Sequence, residues 1–131
     1  MAGGERFLVV RLAGREFAVP SNRVRGMLRT RGVELHRVEG RCALRYLIDL
    51  HGKKVPVYVP HHSLRLKEIG ISARSCLLLI SDNGEVGYAL AVDSISREVE
   101  LPAAAVRASA GLVRLGDKWR TVLDLEALRA A

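Results

Sequence analysis

The sequence predicts a mainly β fold of about ten short strands, closed into barrels or a sandwich. Three observations predict it. Short runs in which apolar and polar residues alternate recur along most of the chain. Turn signals punctuate those runs at even spacing, with Gly14, Gly52, Gly84 and Gly116 each in a hairpin turn. The two halves also follow one plan: a leading hairpin, an extended run, a later hairpin, and a short helix carrying Leu64 or Leu128. Two small barrels, each too small to stand alone, would then share a joint core.

The elements follow in order. Residues 7–19 read as a hairpin in which Phe7, Val9 and Arg11 alternate with Leu8, Val10 and Leu12, turning at Ala13-Gly14-Arg15. Pro20-Ser21-Asn22 stops the returning strand and supports one short helical turn. Residues 24–30 are extended, with Val24, Met27 and Leu28 as apolar contacts. Residues 31–42 mix glycine, charge and isolated Val33, Leu35 and Val38, as a loop or ragged edge strand does. The later hairpin spans 44–59 around His51-Gly52-Lys53-Lys54, where Gly52 takes a positive φ and the lysines keep the tip in water. Pro56 lies inside its second run; lacking an N–H, it predicts a sheet edge or a bulge there. A bare apolar edge invites pairing, so this hairpin points to partner binding. Residues 63–68 are expected to form a short helix and 69–74 a connector.

The second half repeats the plan. Residues 75–93 form a hairpin on Asp82-Asn83-Gly84, 94–101 an extended run ended by Pro102, and 103–110 a small-residue connector. A last hairpin turns at Gly116-Asp117-Lys118, and residues 124–130 close the chain as a short helix.

At 131 residues, 49% hydrophobic and 27% charged, the composition is that of a globular chain forming one domain or two lobes on one core. No apolar run is long enough to span a bilayer, so no direct membrane insertion is expected. Residues 1–6 lead into a strand-like run without a secretory pattern, which makes the cytoplasm the expected compartment. Cys42 and Cys76 are isolated thiols of the ordinary half-buried kind. The net charge is +7, and between Arg23 and Arg45 seven arginines face only Glu34 and Glu39. That segment reads as a solvated face, as a surface for an acidic partner, or as a nucleic-acid site. Single-strand binders add stacking aromatics, and here only Tyr46 falls near the basic segment.

Nothing in the pattern supplies a reaction. His61 and His62 are adjacent and would point to opposite faces of a strand, which is poor chelating geometry. There is no phosphate-binding glycine loop and no nucleophile elbow. Asp49, Asp93 and Asp124 end strand-like runs and are expected to cap turns or helices. No catalytic residue, metal or cofactor is therefore assigned.

Five segments, in order and correctly spaced, carry a resemblance: residues 7–20, Val24, the run LIDLHGKKVPV, the step Leu90-Ala91-Val92-Asp93, and LVRLGDKWRTVLDLEAL. From Phe7 to Leu128 the chain resembles the CheW-like domain, the adaptor module of bacterial chemosensory arrays. The resemblance implies a mainly β fold of two five-stranded SH3-like β-barrels sharing a core, with short helical segments and no enzymatic activity. It implies a single domain over residues 1–131, with barrels over roughly 7–68 and 75–128 and terminal strands open to exchange. The implied partners are the regulatory domain of a CheA-like histidine kinase and a chemoreceptor signalling tip.

The implied contact residues are Val24, His51 and Leu77 for a receptor-like helix, and Val57 with its edge strand for a kinase-type barrel. Gly26 stands where well-studied coupling proteins of the family carry a docking glutamate, and His51 where they carry a coupling arginine. Arginine is always charged and forked, whereas histidine is mostly neutral at pH 7. Two other functions remain: a small basic barrel binding nucleic acid through residues 23–45, and a CheW-like module that does not couple the usual partners.

Overall fold

The computed structural model describes residues 4–39, 43–67 and 75–130. Twelve strands are present among them, and two are only two residues long, so five substantial strands fall to each barrel. β1 (Glu5–Leu12) and β2 (Arg15–Pro20) form the first hairpin, and β3 (Val24–Arg29) follows a 3-10 turn over Ser21–Arg23. Next come β4 (His36–Arg37), β5 (Leu44–Leu50), β6 (Lys53–Tyr58), β7 (Cys76–Asp82), β8 (Glu85–Val92) and β9 (Ser94–Leu101). β10 (Val106–Arg107), β11 (Leu112–Leu115), β12 (Lys118–Thr121) and the helix α1 (Leu125–Ala130) complete the chain.

One barrel is a six-stranded sheet in the order β3-β7-β8-β6-β5-β4. The other joins the sheets β2-β1-β9 and β10-β11-β12 through a parallel bridge between Ala18 and Val122. The two halves repeat each other's pairings. β1–β2 pairs with β9 as β7–β8 pairs with β3, and the parallel Ala18–Val122 bridge answers the parallel β6–β8 pairing at Val57–Ala89.

Alternation fills three cores. Ile48, Val55, Val57, Leu77 and Leu79 fill the first barrel, and Phe7, Val9, Val113 and Leu115 the second. The opposite faces of the same leading strands, with Leu8, Val10, Leu78, Ile80, Tyr88 and Leu90, meet between the barrels. Leu125 and Leu128 of α1 close that central cluster, and Asp124 Oδ1 accepts the Ala127 N–H as the cap of the helix.

Three sequence expectations are corrected. β6 is not an edge strand, since it lies between β5 and β8, but the bulge expected as the alternative is there, where the β5–β6 register shifts between Leu44 and Tyr46. Pro56 is tolerated because the β8 pairing begins only at Val57, which leaves the strand with no ladder on that side up to Pro56. The turn is the two-residue pair His51-Gly52, with φ of 52° and 83°, so Lys53 and Lys54 already belong to β6. The short helix expected from residue 63 is instead a hydrogen-bonded turn, ended by Arg65 at φ 57°. Its last residue, Glu68, and the connector 69–74 lie outside the described residues, as does Cys42.

Candidate docking groove

Among the described residues β3 is the terminal strand of its sheet and pairs only with β7. Its burial alternates strictly: Val24, Gly26 and Leu28 are half-buried, whereas Arg25, Met27 and Arg29 are exposed. Met27 is the one large hydrophobic side chain exposed among the described residues, at 56%. Isolated apolar exposure is ordinary, but exposure on an unpaired edge strand beside a cavity is not.

That cavity, about 230 Å³, lies between β3 and β9, with Leu8, Val24, Gly26, Met27 and Glu98 in its lining. It shares Ser21 and Glu98 with a wider hollow of about 520 Å³ that extends past Pro20 to Gly4 and Arg6. The Oγ of Ser21 is buried there without a hydrogen-bond partner among the described residues. The neighbours of Glu98 on β9 are paired, Arg97 with Glu16 at 2.9 Å and Glu100 with Arg6 at 3.3 Å, while Glu98 itself meets no cation among the described residues. Arg25 is held by a 2.7 Å hydrogen bond to the Gly84 carbonyl, which ties β3 to the β7–β8 turn. The result is a trough with an apolar floor, the Glu98 carboxylate on one bank and Arg25 on the other.

Of the residues expected from sequence, the groove gathers two. Val24 lines it, and so does Gly26, where an added Cβ would meet only Leu79 Cδ1 at 3.5 Å. The glycine is thus not required by close approach; it leaves the trough open where a side chain would fit. His51 is exposed in the β5–β6 turn and is not part of this lining. Val57 and Leu77 are corrected outright as surface contacts: both have 0% exposure, packed together inside the first barrel. β6 is internal, and β7 is covered by β3 on one side and β8 on the other.

Met27 and Glu98 are not singled out as contact residues by the sequence. Met27 does not join Val24 and Leu28 on the inward face; the alternation Arg25, Met27, Arg29 is the signal that turns it outward. The role of Asp93 is also larger than a cap. Its Oδ2 accepts the Ala13 N–H at 2.7 Å, and both its oxygens lie 3.0 Å from His61 Nε2, which must carry the proton because a carboxylate only accepts. The pair ties the exit of β6 and the β8–β9 link to the β1–β2 turn, and His61 is only 3% exposed. His62 faces solvent. Asp49 acts locally, accepting the Gly52 N–H at 2.9 Å.

A family model described as CheW-like domain matches residues 6–130. The chain belongs to the CheW-like domain family. Among solved structures, this CheW-like chain is similar to the scaffolding protein TtCheW from Thermoanaerobacter tengcongensis. The two share 18% identity and a TM-score of 0.79, over 93% of this chain and 90% of that one. At that identity the likeness speaks for the fold, and the two-barrel architecture of a CheW-like domain is what the strand order displays. No curated protein matches the sequence at a significant level.

Proposed function

We propose that this CheW-like domain is a non-enzymatic, cytoplasmic adaptor of a bacterial chemosensory system, bridging chemoreceptors and a CheA-type histidine kinase. Family membership supports the class of function, and the exposed Met27 on the unpaired β3 edge supports the place where a partner docks. The groove of Val24, Gly26 and Met27 suits one apolar ridge of a receptor helix, read at helical spacing. His51 offers a second contact at the far turn, while Val57 and Leu77 support the barrel from inside. No helix among the described residues is long and apolar enough to cross a membrane.

The nucleic-acid reading of residues 23–45 is not favoured. Arg23 is occupied by the Ser81 carbonyl and Glu126 and Arg25 by the Gly84 carbonyl. Although Arg29, Arg31 and Arg37 stay exposed, the one aromatic nearby, Tyr46, packs against the barrel core instead of standing free to stack on a base.

The test measures binding of the purified chain to a receptor-tip fragment and to a cognate kinase regulatory domain. Met27→Asp is expected to weaken the receptor contact about tenfold or more, near the 1–2 kcal/mol of a modest hot spot. Being solvent-exposed, the substitution leaves folding intact, which Val57→Asp in the core would not. Absence of either interaction at micromolar concentrations, or unchanged receptor affinity in Met27→Asp, would sink the reading.

A further inference from the structure

The sheet β10-β11-β12 presents a second surface that shares no residue with the β3 groove lining. Its register sets Arg107 opposite Leu112 and Arg114 opposite Trp119, so these four residues stand on one face. Val113 and Leu115, on the other face, are buried. The Arg107 guanidinium lies over the Trp119 ring, 4.3 Å from its centroid. Elsewhere Arg6, Arg23, Arg97 and Arg129 each meet a carboxylate within 3.3 Å. Arg107 and Arg114 are exposed and meet none among the described residues. The one acid nearby in sequence, Asp117, sits in the β11–β12 turn.

A guanidinium stacked on an aromatic ring is fixed in orientation while its in-plane N–H groups stay free, the arrangement that suits bidentate recognition of a carboxylate. We propose that this face docks an acidic, carboxylate-rich segment of a partner polypeptide, with Arg107 pre-oriented by Trp119 and Arg114 alongside. A nucleic-acid strand is the poorer fit, because Arg107 already covers a face of the only aromatic ring on this surface. A second copy of the chain is disfavoured by its net charge of +7.

Trp119 is the single tryptophan, so its fluorescence reports on the site directly. The full chain is titrated at low salt with a peptide alternating glutamate and serine, with the same peptide carrying glutamine for glutamate, and with oligothymidylate. Anisotropy of the labelled peptide gives affinities for the variants. Expected are a saturable fluorescence change with the glutamate peptide only, and weakening of about tenfold or more in Arg107→Gln/Arg114→Gln. Arg31→Gln/Arg37→Gln, which removes equal charge from other exposed positions, is expected to stay within about twofold. Should the first double variant lose its far-UV spectrum, Arg114→Gln alone is expected to weaken binding about threefold. Equal loss in both double variants, tighter binding of oligothymidylate than of the glutamate peptide, or no fluorescence change with the glutamate peptide would each overturn the proposal.

Discussion

Tyr88 carries its hydroxyl into the central core without a hydrogen-bond partner among the described residues. Its ring is nevertheless well held, with Arg129 stacked at 4.9 Å and Tyr58 edge-on at 5.4 Å. Burial pushes the phenol up to about 12 from the ordinary 10.0. The unfolded chain loses this proton near pH 10 and the folded one only near 12, so the contribution is complete below about pH 10 and declines as pH rises towards 12. The decline is on the order of 2 kcal/mol. Urea unfolding at stepped alkaline pH is expected to show it in the native sequence, and Tyr88→Phe is expected to lack that share. At neutral pH the same variant should be neutral or stabilised by up to about 1 kcal/mol, since it removes an unsatisfied buried group. A loss larger than that would show that the hydroxyl has a partner. Asp93 is the opposite case. Asp93→Ala strands both the Ala13 N–H and His61 Nε2, and should cost about 2–4 kcal/mol in the same unfolding measurement.

At the level of elements, the hairpins are legible because their chemistry is local. Asn83-Gly84 and His51-Gly52 take the paired positive φ values of a two-residue hairpin turn, at 53° and 82°, and 52° and 83°. Ala13-Gly14 adopts the same turn, yet Ala13 at φ 52° is a residue type that resists the left-handed region. Ala13→Gly is therefore expected to stabilise the fold by up to about 1 kcal/mol, read from the denaturation midpoint, because its N–H to Asp93 is retained. Pairing between distant strands is what stays hidden. Pro56 correctly signals a missing ladder, but sequence cannot say that β8 arrives one residue later and turns an apparent edge into an interior strand. Val57 consequently moves from candidate contact to core, and Met27 from candidate core to surface. The first reversal comes from the partner a strand meets, β8, which no local pattern encodes, whereas the second follows the alternation Arg25, Met27, Arg29.

Across the whole molecule, the exchange of leading hairpins decides how stability is shared. Strands β1 and β2 pair into one barrel and β7 and β8 into the other, while the second faces of all four supply the cluster between them. Any residue of that cluster therefore supports both barrels at once. Leu78 has no exposure and sits on β7 in the first barrel's sheet, yet it belongs to the same cluster as Leu8, Val10 and Leu12 of β1 in the second. Leu78→Ala is expected to cost about 2–5 kcal/mol, the usual range for a buried leucine with incomplete collapse around the void. Its distribution is the more telling outcome. If the barrels share one cooperative core, the van't Hoff and calorimetric enthalpies agree in the variant as in the parent. Amide exchange then accelerates together in β5–β6 of one barrel and β11–β12 of the other, although neither pair contains the substituted residue. Acceleration confined to the six-stranded sheet, with β11–β12 still protected, would show two separately stable barrels. The central cluster would then be an interface between domains, and a partner docked at β3 would have no stiff route through Leu8 and Val10 to the Arg107–Trp119 face.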